Sequence, residues 1–285
     1  MEMNTAILLI SCPDQKGITA TITNFIYQNN GNIEHADQHI DTQFNTFFMR
    51  TEWSLDGFKL SKRVLIKEFL ILAEKFNMDW ELHFSDTPVK IAIFASHSTH
   101  CLYDLLLKYK ENYFNCQIPL IIGNTAKTKA IAKNFGIKFV HLPKNIKNKE
   151  EVEKKEISLL KKENIDTIVL ARYAQILTKQ FVDQFPNRII NIHHSFLPAF
   201  IGSNPYQQAY ERGVKIIGAT SHYVTEHLDA GPIIEQNTAQ ISHRDSVEDL
   251  KRKGQELERV VLSQALRWHL ERKILVYNNK TVIFD

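Results

Sequence analysis

"VKIAIFASHSTHCLYDLLLKYKENYFNCQIPLIIGN" occupies residues 89–124, and its reading decides the fold of most of the chain. The apolar run "VKIAIFAS" (89–96) predicts a strand, "HCLYDLLLKYK" (100–110) a helix, and "QIPLIIGN" (117–124) a second strand. The same alternation continues downstream. "TKAIAKNFG" (128–136) predicts a helix ended by Gly136, and "IKFVHL" (137–142), "IDTIVLAR" (165–172) and "NRIINI" (187–192) predict strands. Strands that carry helices between them imply a mostly parallel, Rossmann-like sheet covered on both faces. "KIIGATSHYV" (215–224) and "GPIIEQNTAQI" (231–241) add strands, and residues 246–271 form one long helical pattern. A short hairpin, "ILVYNNKTVIF" (274–284), turns around Asn278 and Asn279.

Upstream of residue 87 the pattern is different. "TAILLISC" (5–12) predicts a buried strand, and "DQKG" (14–17) a turn whose Asp14 is placed to cap the next helix. Ile18, Ile22, Phe25 and Ile26 share one helical face before Gly31. Two strands follow, then a helix opened by Ser61 and a strand at 78–85. That βαββαβ order is the ferredoxin-like split arrangement. Domains are therefore expected at 1–86 and 87–285.

Bulk composition excludes several function classes. Hydrophobic content of 44% and charged content of 24% describe an ordinary globular protein. A net charge of +3 is too mild for a nucleic-acid footprint. The charge run at 143–164 alternates in sign and predicts a solvated helix with Val152, Ile157 and Leu160 inward. Cys12, Cys101 and Cys116 form no C-x-x-C, so neither a disulfide framework nor a zinc ribbon is expected. No stretch approaches the ~20 apolar residues of a membrane span, and no secretory leader is legible, which points to a reducing cytoplasm.

In an open parallel sheet, ligands bind beyond the carboxyl ends of the strands. There the chain places "NIHHSFLPAF" (191–200), an amide, two imidazoles and a hydroxyl at a strand tip. Residues two apart in an extended segment face the same way, which nominates Asn191 and His193 together and turns His194 aside. Asp229, before a Gly-Pro turn, offers a carboxylate to orient an imidazole. Amide, imidazolium and carboxylate together suit acyl transfer without a nucleophilic side chain. Ser195 lacks the G-x-S-x-G elbow of a nucleophile. His193, His194, His222 and His227 lack metal-ligand spacing, so no metal is expected.

The stretch 191–236 closely resembles the formyltetrahydrofolate deformylase family. Residues 1–85, including "CPDQKGITATI", resemble an ACT domain, and 88–285 resemble a formyltransferase-fold domain. The resemblance implies hydrolysis of 10-formyltetrahydrofolate within one-carbon and purine metabolism, with the folate as substrate and no separate cofactor. It implies that Asn191 and His193 bind the formyl oxygen, that Asp229 positions His193 and relays protons, and that His222 supports them. It implies a folate pocket at Tyr173, Gln175, Ile176, Leu177 and Val224. For the ACT-like part it implies a homo-oligomer and an amino-acid effector such as glycine or methionine near Asp14, Gly17 and Asn32. The chain departs from the family's usual residues at Ser203, Asn204 and Gln207, whose roles stay open.

Related transferases would use the same trio, so the acceptor must be judged elsewhere. The turn "FASHSTHCL" (94–102) contains no glycine, whereas a phosphate needs close backbone approach. Water is therefore the expected nucleophile. A formyltransferase to a small amine, or an amino-acid sensor with a degenerate folate domain, are the alternatives.

Overall fold

A computed structural model of the chain describes residues 4–199 and 205–285. By internal contacts it divides into two compact units. The first is the segment ending at Pro88 together with Glu271–Tyr277 and Val282–Asp285; the second is Val89–Leu270 with Asn278–Thr281.

The first unit opens with β1 (Thr5–Pro13), α1 (Ile18–Gln28), β2 (Asn32–Asp41), β3 (Thr46–Ser54), α2 (Lys62–Phe76) and β4 (Asp79–Phe84). Its antiparallel sheet runs β2-β3-β1-β4. Ala6, Leu8 and Ile10 on one face of β1 pack with Ile22 and Ile26 of α1 and Phe69 of α2. Gly17, at φ 94°, occupies the N-cap position of α1 without a side-chain cap. The Asp14 backbone N–H instead donates to the Asn45 carbonyl (2.9 Å), so the capping role expected for Asp14 does not hold.

The second unit comprises β5 (Val89–Ala95), α3 (His100–Lys110), β6 (Cys116–Gly123), α4 (Lys129–Asn134), β7 (Lys138–His141), α5 (Lys149–Lys162) and β8 (Thr167–Ala171). It continues through α6 (Lys179–Val182), β9 (Ile189–His193), α7 (Pro205–Glu211), β10 (Ile216–Tyr223), β11 (Ile233–Gln240) and α8 (Val247–Leu270). The sheet order is β11-β10-β9-β8-β5-β6-β7; β10 runs antiparallel to both its neighbours, and the other pairs are parallel. The chain leaves β5 toward β6 and β7, then returns to build β8 and β9 on the other side. The strand order therefore reverses between β5 and β8, where a crevice opens at the carboxyl ends. Ser96, just after β5, accepts from the Ala174 N–H (3.1 Å) and donates to Asn124 Oδ1 (2.8 Å), tying the two sides of that crevice.

Helix α5 departs from its expected solvated character. Val152 and Leu160 are buried, but so are Glu153 and Glu156, with Lys144 from the preceding loop. Lys144 Nζ stands 2.7 Å from Glu156 and 3.5 Å from Glu153. Alternating charge predicts a wet helix only when nothing charged waits on its dry side.

Strands β12 (Ile274–Tyr277) and β13 (Lys280–Ile283) form the expected hairpin, with Asn278 and Asn279 at φ 44° and 58°. Leu275, Tyr277, Val282 and Phe284 pack on Leu9 and Phe48, the other face of the first unit's sheet. This explains why β1 is apolar at consecutive positions: both of its faces are dry. Buried Arg50 secures the approach to the hairpin, donating from Nε to the Arg272 carbonyl (3.0 Å) and from Nη2 to that of Glu271 (3.1 Å). Among the described residues no helix is long and apolar enough to cross a membrane.

Candidate active site

β9 and β10 pair so that His222 lies opposite Asn191 and Thr220 opposite His193. Residues opposite in an antiparallel pair share a face, as do residues two apart on one strand. Asn191, His193 and His222 therefore project together. The fourth group comes from the loop between β10 and β11. Tyr223 N–H donates to the Pro232 carbonyl (2.9 Å) and Val224 N–H to that of Ile189 (2.8 Å), pinching this loop at its base. A Cβ on Gly231 would lie 1.8 Å from the Tyr223 oxygen, so the closure requires glycine. Asp229, at φ 53°, turns its carboxylate back toward the strand tip.

The resulting distances are those of one cluster. His193 Nδ1 is 3.2 Å from Asp229 Oδ2, and His222 Nε2 is 3.6 Å from Asp229 Oδ1. Asn191 Nδ2 lies 3.2 Å from His222 Nε2, and His222 Nδ1 is 2.9 Å from the Tyr223 carbonyl oxygen. A carbonyl only accepts, so the proton of His222 sits on Nδ1 and Nε2 accepts from the Asn191 amide. One amide N–H of Asn191 is thereby fixed and the second is left to donate. Burial pushes the Asp229 carboxyl up, but the imidazoles of His193 and His222 outweigh it and hold the group well below the usual carboxylate range. Asp229 is an anion at neutral pH. His193 Nε2 is buried and has no hydrogen-bond partner among the described residues. In a cluster otherwise satisfied, that nitrogen points to where a ligand atom would complete the set.

His194 turns aside as expected. Its ring meets Tyr206 (centroids 5.9 Å apart) and lines a cavity of about 440 Å³ with Ser98, His100, Arg172 and Lys251. Burial, with the Arg172 guanidinium beside it, pushes the His194 imidazolium down to about 4, so the ring is neutral at pH 7. Glu258 on α8 forms the cavity's acidic wall, accepting from Tyr206 Oη (2.8 Å) and pairing with His100 (2.8 Å) and Arg172 (3.2 Å). His100, Cys101 and Glu258 bring metal-ligating atoms within 4.8 Å of one another, but the guanidinium already supplies the positive charge there. The glycine-free turn after β5 contributes Ser98 to the lining of this cavity. Space for a small molecule lies directly beside it.

The other nominated residues separate into groups. Tyr173 and Leu177 are buried in one core cluster, with Val224 packed against it. Gln175 is half-buried and Ile176 is 59% exposed, so these two face outward from the same segment. Ser195 Oγ donates to the Ala199 carbonyl (2.7 Å) and is spent within its turn. Gln207 bonds Glu211 (2.7 Å) on α7, while Ser203 and Asn204 lie outside the described residues. Asn32 opens β2 and is exposed.

Comparison with known proteins adds identity to this geometry. The formyl transferase family matches residues 89–266 and the ACT domain family residues 6–52. A formyltetrahydrofolate deformylase of Synechocystis is 56% identical over 284 residues, covering 100% of both chains. The chain belongs to the formyltetrahydrofolate deformylase family. The crystal structure of a Pseudomonas syringae member of that family superposes with a TM-score of 0.98 at 43% identity, covering 100% of this chain and 96% of that one. Glycinamide ribonucleotide transformylase 1 of Symbiobacterium toebii reaches a TM-score of 0.66 at 29% identity, covering 72% of this chain and 98% of its own. The likeness to the deformylases thus spans the whole chain, and the likeness to the transformylase does not.

Proposed function

We propose that the chain hydrolyses 10-formyltetrahydrofolate to formate and tetrahydrofolate at the cluster of Asn191, His193, His222 and Asp229. The observation that carries this reading is the partnerless Nε2 of His193, buried behind an Nδ1 that Asp229 holds. A carbonyl oxygen placed there meets Nε2–H of the imidazolium and the second amide N–H of Asn191. Both donors face the charge that develops as water attacks, and both are pre-oriented, so little reorganisation accompanies the step. The water oxygen forms the new bond to the formyl carbon, and the bond from that carbon to the folate nitrogen breaks. The proton lost by water ends on the leaving nitrogen, and Asp229 accepts and relays it. His222 orients the Asn191 amide through Nε2.

The segment from Tyr173 to Leu177, with Val224, forms the folate-facing wall, and no resident cofactor is required. In the first unit, an amino acid such as glycine or methionine binds near Asp14, Gly17 and Asn32 and controls turnover in a homo-oligomer. The three cysteines are free and buried, which suits a reducing cytoplasm.

The test is to incubate the protein with 10-formyltetrahydrofolate and no added amine, and to measure formate. Stoichiometric formate and tetrahydrofolate are expected. Turnover only when an amine is supplied would assign the cavity beside His194 to an acceptor and make the chain a transferase.

A further inference from the structure

The segment between β8 and α6 is short, irregular and exposed at Ile176, yet it is anchored from beneath by a dry charged network that the reaction does not use. Two carboxylates three residues apart on α5 reach it. Glu156 Oε1 accepts from the Tyr173 hydroxyl (3.0 Å). Glu153 accepts from the Thr178 hydroxyl and from the Thr178 N–H (3.3 Å to each oxygen). Lys144 Nζ bridges both carboxylates and lies 5.4 Å from the centre of the Tyr173 ring. The side chains of Lys144 and Glu156 are fully buried, and that of Glu153 is 3% exposed. Thr178 Oγ1 in turn caps α6 by accepting from the Phe181 N–H (3.3 Å).

We propose that Lys144, Glu153 and Glu156 form a positioning triad that fixes the 173–178 segment in its folate-binding shape through Tyr173 and Thr178. The proposal rests on the reading of that segment as the folate-facing wall. Three arguments carry it. Within the segment the backbone makes one bond of its own, Gln175 N–H to the Tyr173 carbonyl (2.8 Å), so its shape comes from outside. Beside the Ala174 N–H bond to Ser96 Oγ, the outside anchors are hydrogen bonds to ionised groups in a dry setting, the strongest kind available to a loop. Burying two carboxylates and an ammonium is costly compared with apolar residues of equal size, so the network serves geometry more than stability. The anchors grip residues 173 and 178 and leave Gln175 and Ile176 between them to meet a ligand.

A positioning role predicts a specific kinetic signature. The segment supplies no reacting group, so a loosened segment weakens substrate and transition state alike. Thr178→Val and Glu153→Gln should each raise KM for 10-formyltetrahydrofolate about tenfold with kcat within about twofold. The double variant should go little further than either single one, since both remove the same anchor. Thr178→Ser should restore KM. Ile176→Gly tests the underlying reading separately. If Ile176→Gly raises KM while the anchor variants only lower the melting temperature, the triad is merely structural and the proposal falls, with the folate wall intact. If neither Ile176→Gly nor the anchor variants change KM, the segment does not meet folate and both statements fall. Should Glu153→Gln not fold, the Thr178 pair and Tyr173→Phe, which keeps the ring, decide alone.

Discussion

Asp229 and the Glu153–Glu156 pair are both carboxylate sites withdrawn from water in the same unit, and they are completed in opposite ways. Around Glu153 and Glu156, Lys144, Tyr173 and Thr178 supply donors to both carboxylates. Around Asp229 the chain of contacts ends at His193 Nε2, which meets nothing among the described residues. The electrostatics diverge with the partners. Burial dominates at Glu156 and raises its carboxyl despite Lys144, whereas the two imidazoles prevail over burial at Asp229 and lower it. A closed network holds a shape; an open one holds a place for something else. Burial of charge alone therefore does not mark a reactive site, and the unmatched atom does.

The largest effect that would sharpen this contrast is at the open end. Asp229→Asn should cut kcat by about 10³-fold while leaving folate affinity nearly unchanged. Lost binding with normal turnover would move Asp229 out of the chemistry. His193→Ala and Asn191→Ala should each lose on the order of 10²–10³ in kcat, the usual cost of one oxyanion donor. Near-normal rates in either would show that the open nitrogen is incidental. At the closed network kcat should be spared, the effect falling on stability and KM instead. Lys144→Met leaves two buried carboxylates facing each other and should cost about 3–5 kcal/mol in denaturant unfolding, with kcat per folded molecule retained. A stable variant with depressed kcat would erase the distinction between the two sites.

The smallest expected effect concerns His194, which joins neither network. Its imidazolium is disfavoured in the folded protein, at about 4 against 6.5 unfolded, so between those values the unfolded chain binds more protons. Stability should therefore be whole above about pH 6.5 and decline as pH falls toward 4. His194→Gln should flatten that part of the stability profile; an unchanged slope would place the ring's proton elsewhere. Asp229, whose folded carboxyl is lowered, gives up its contribution only in more acid solution, so the two windows separate.

Much of this arrangement was legible in the chain, and the remainder was hidden for definable reasons. The spacing of Asn191 and His193 on a strand tip follows from the two-residue period, and Asp229 from its Gly-Pro turn. His222 is different. Its place opposite Asn191 depends on the register between β9 and β10, and register between strands thirty residues apart leaves no local trace. The positioning triad was hidden in a run of alternating charge. Glu153 and Glu156 share a helical face with buried Val152 and Leu160, a signal that charge counting passes over. Lys144 comes from outside the helix, so its pairing with that face is a tertiary fact. The hairpin at 274–284 was recognisable as an element, but nothing local says which sheet it covers.

That last element has a consequence for how the protein is made. Leu9 and Phe48 are shielded by side chains between residues 275 and 284, synthesised after Val89–Leu270 of the second unit. As the chain emerges from the ribosome, the first unit's sheet can pair its strands and seat α1 and α2, yet one of its sides stays wet until residues 275–284 are made. The first unit's sheet is thus made early and finished late, and in between it presents a sticky surface for chaperones to guard.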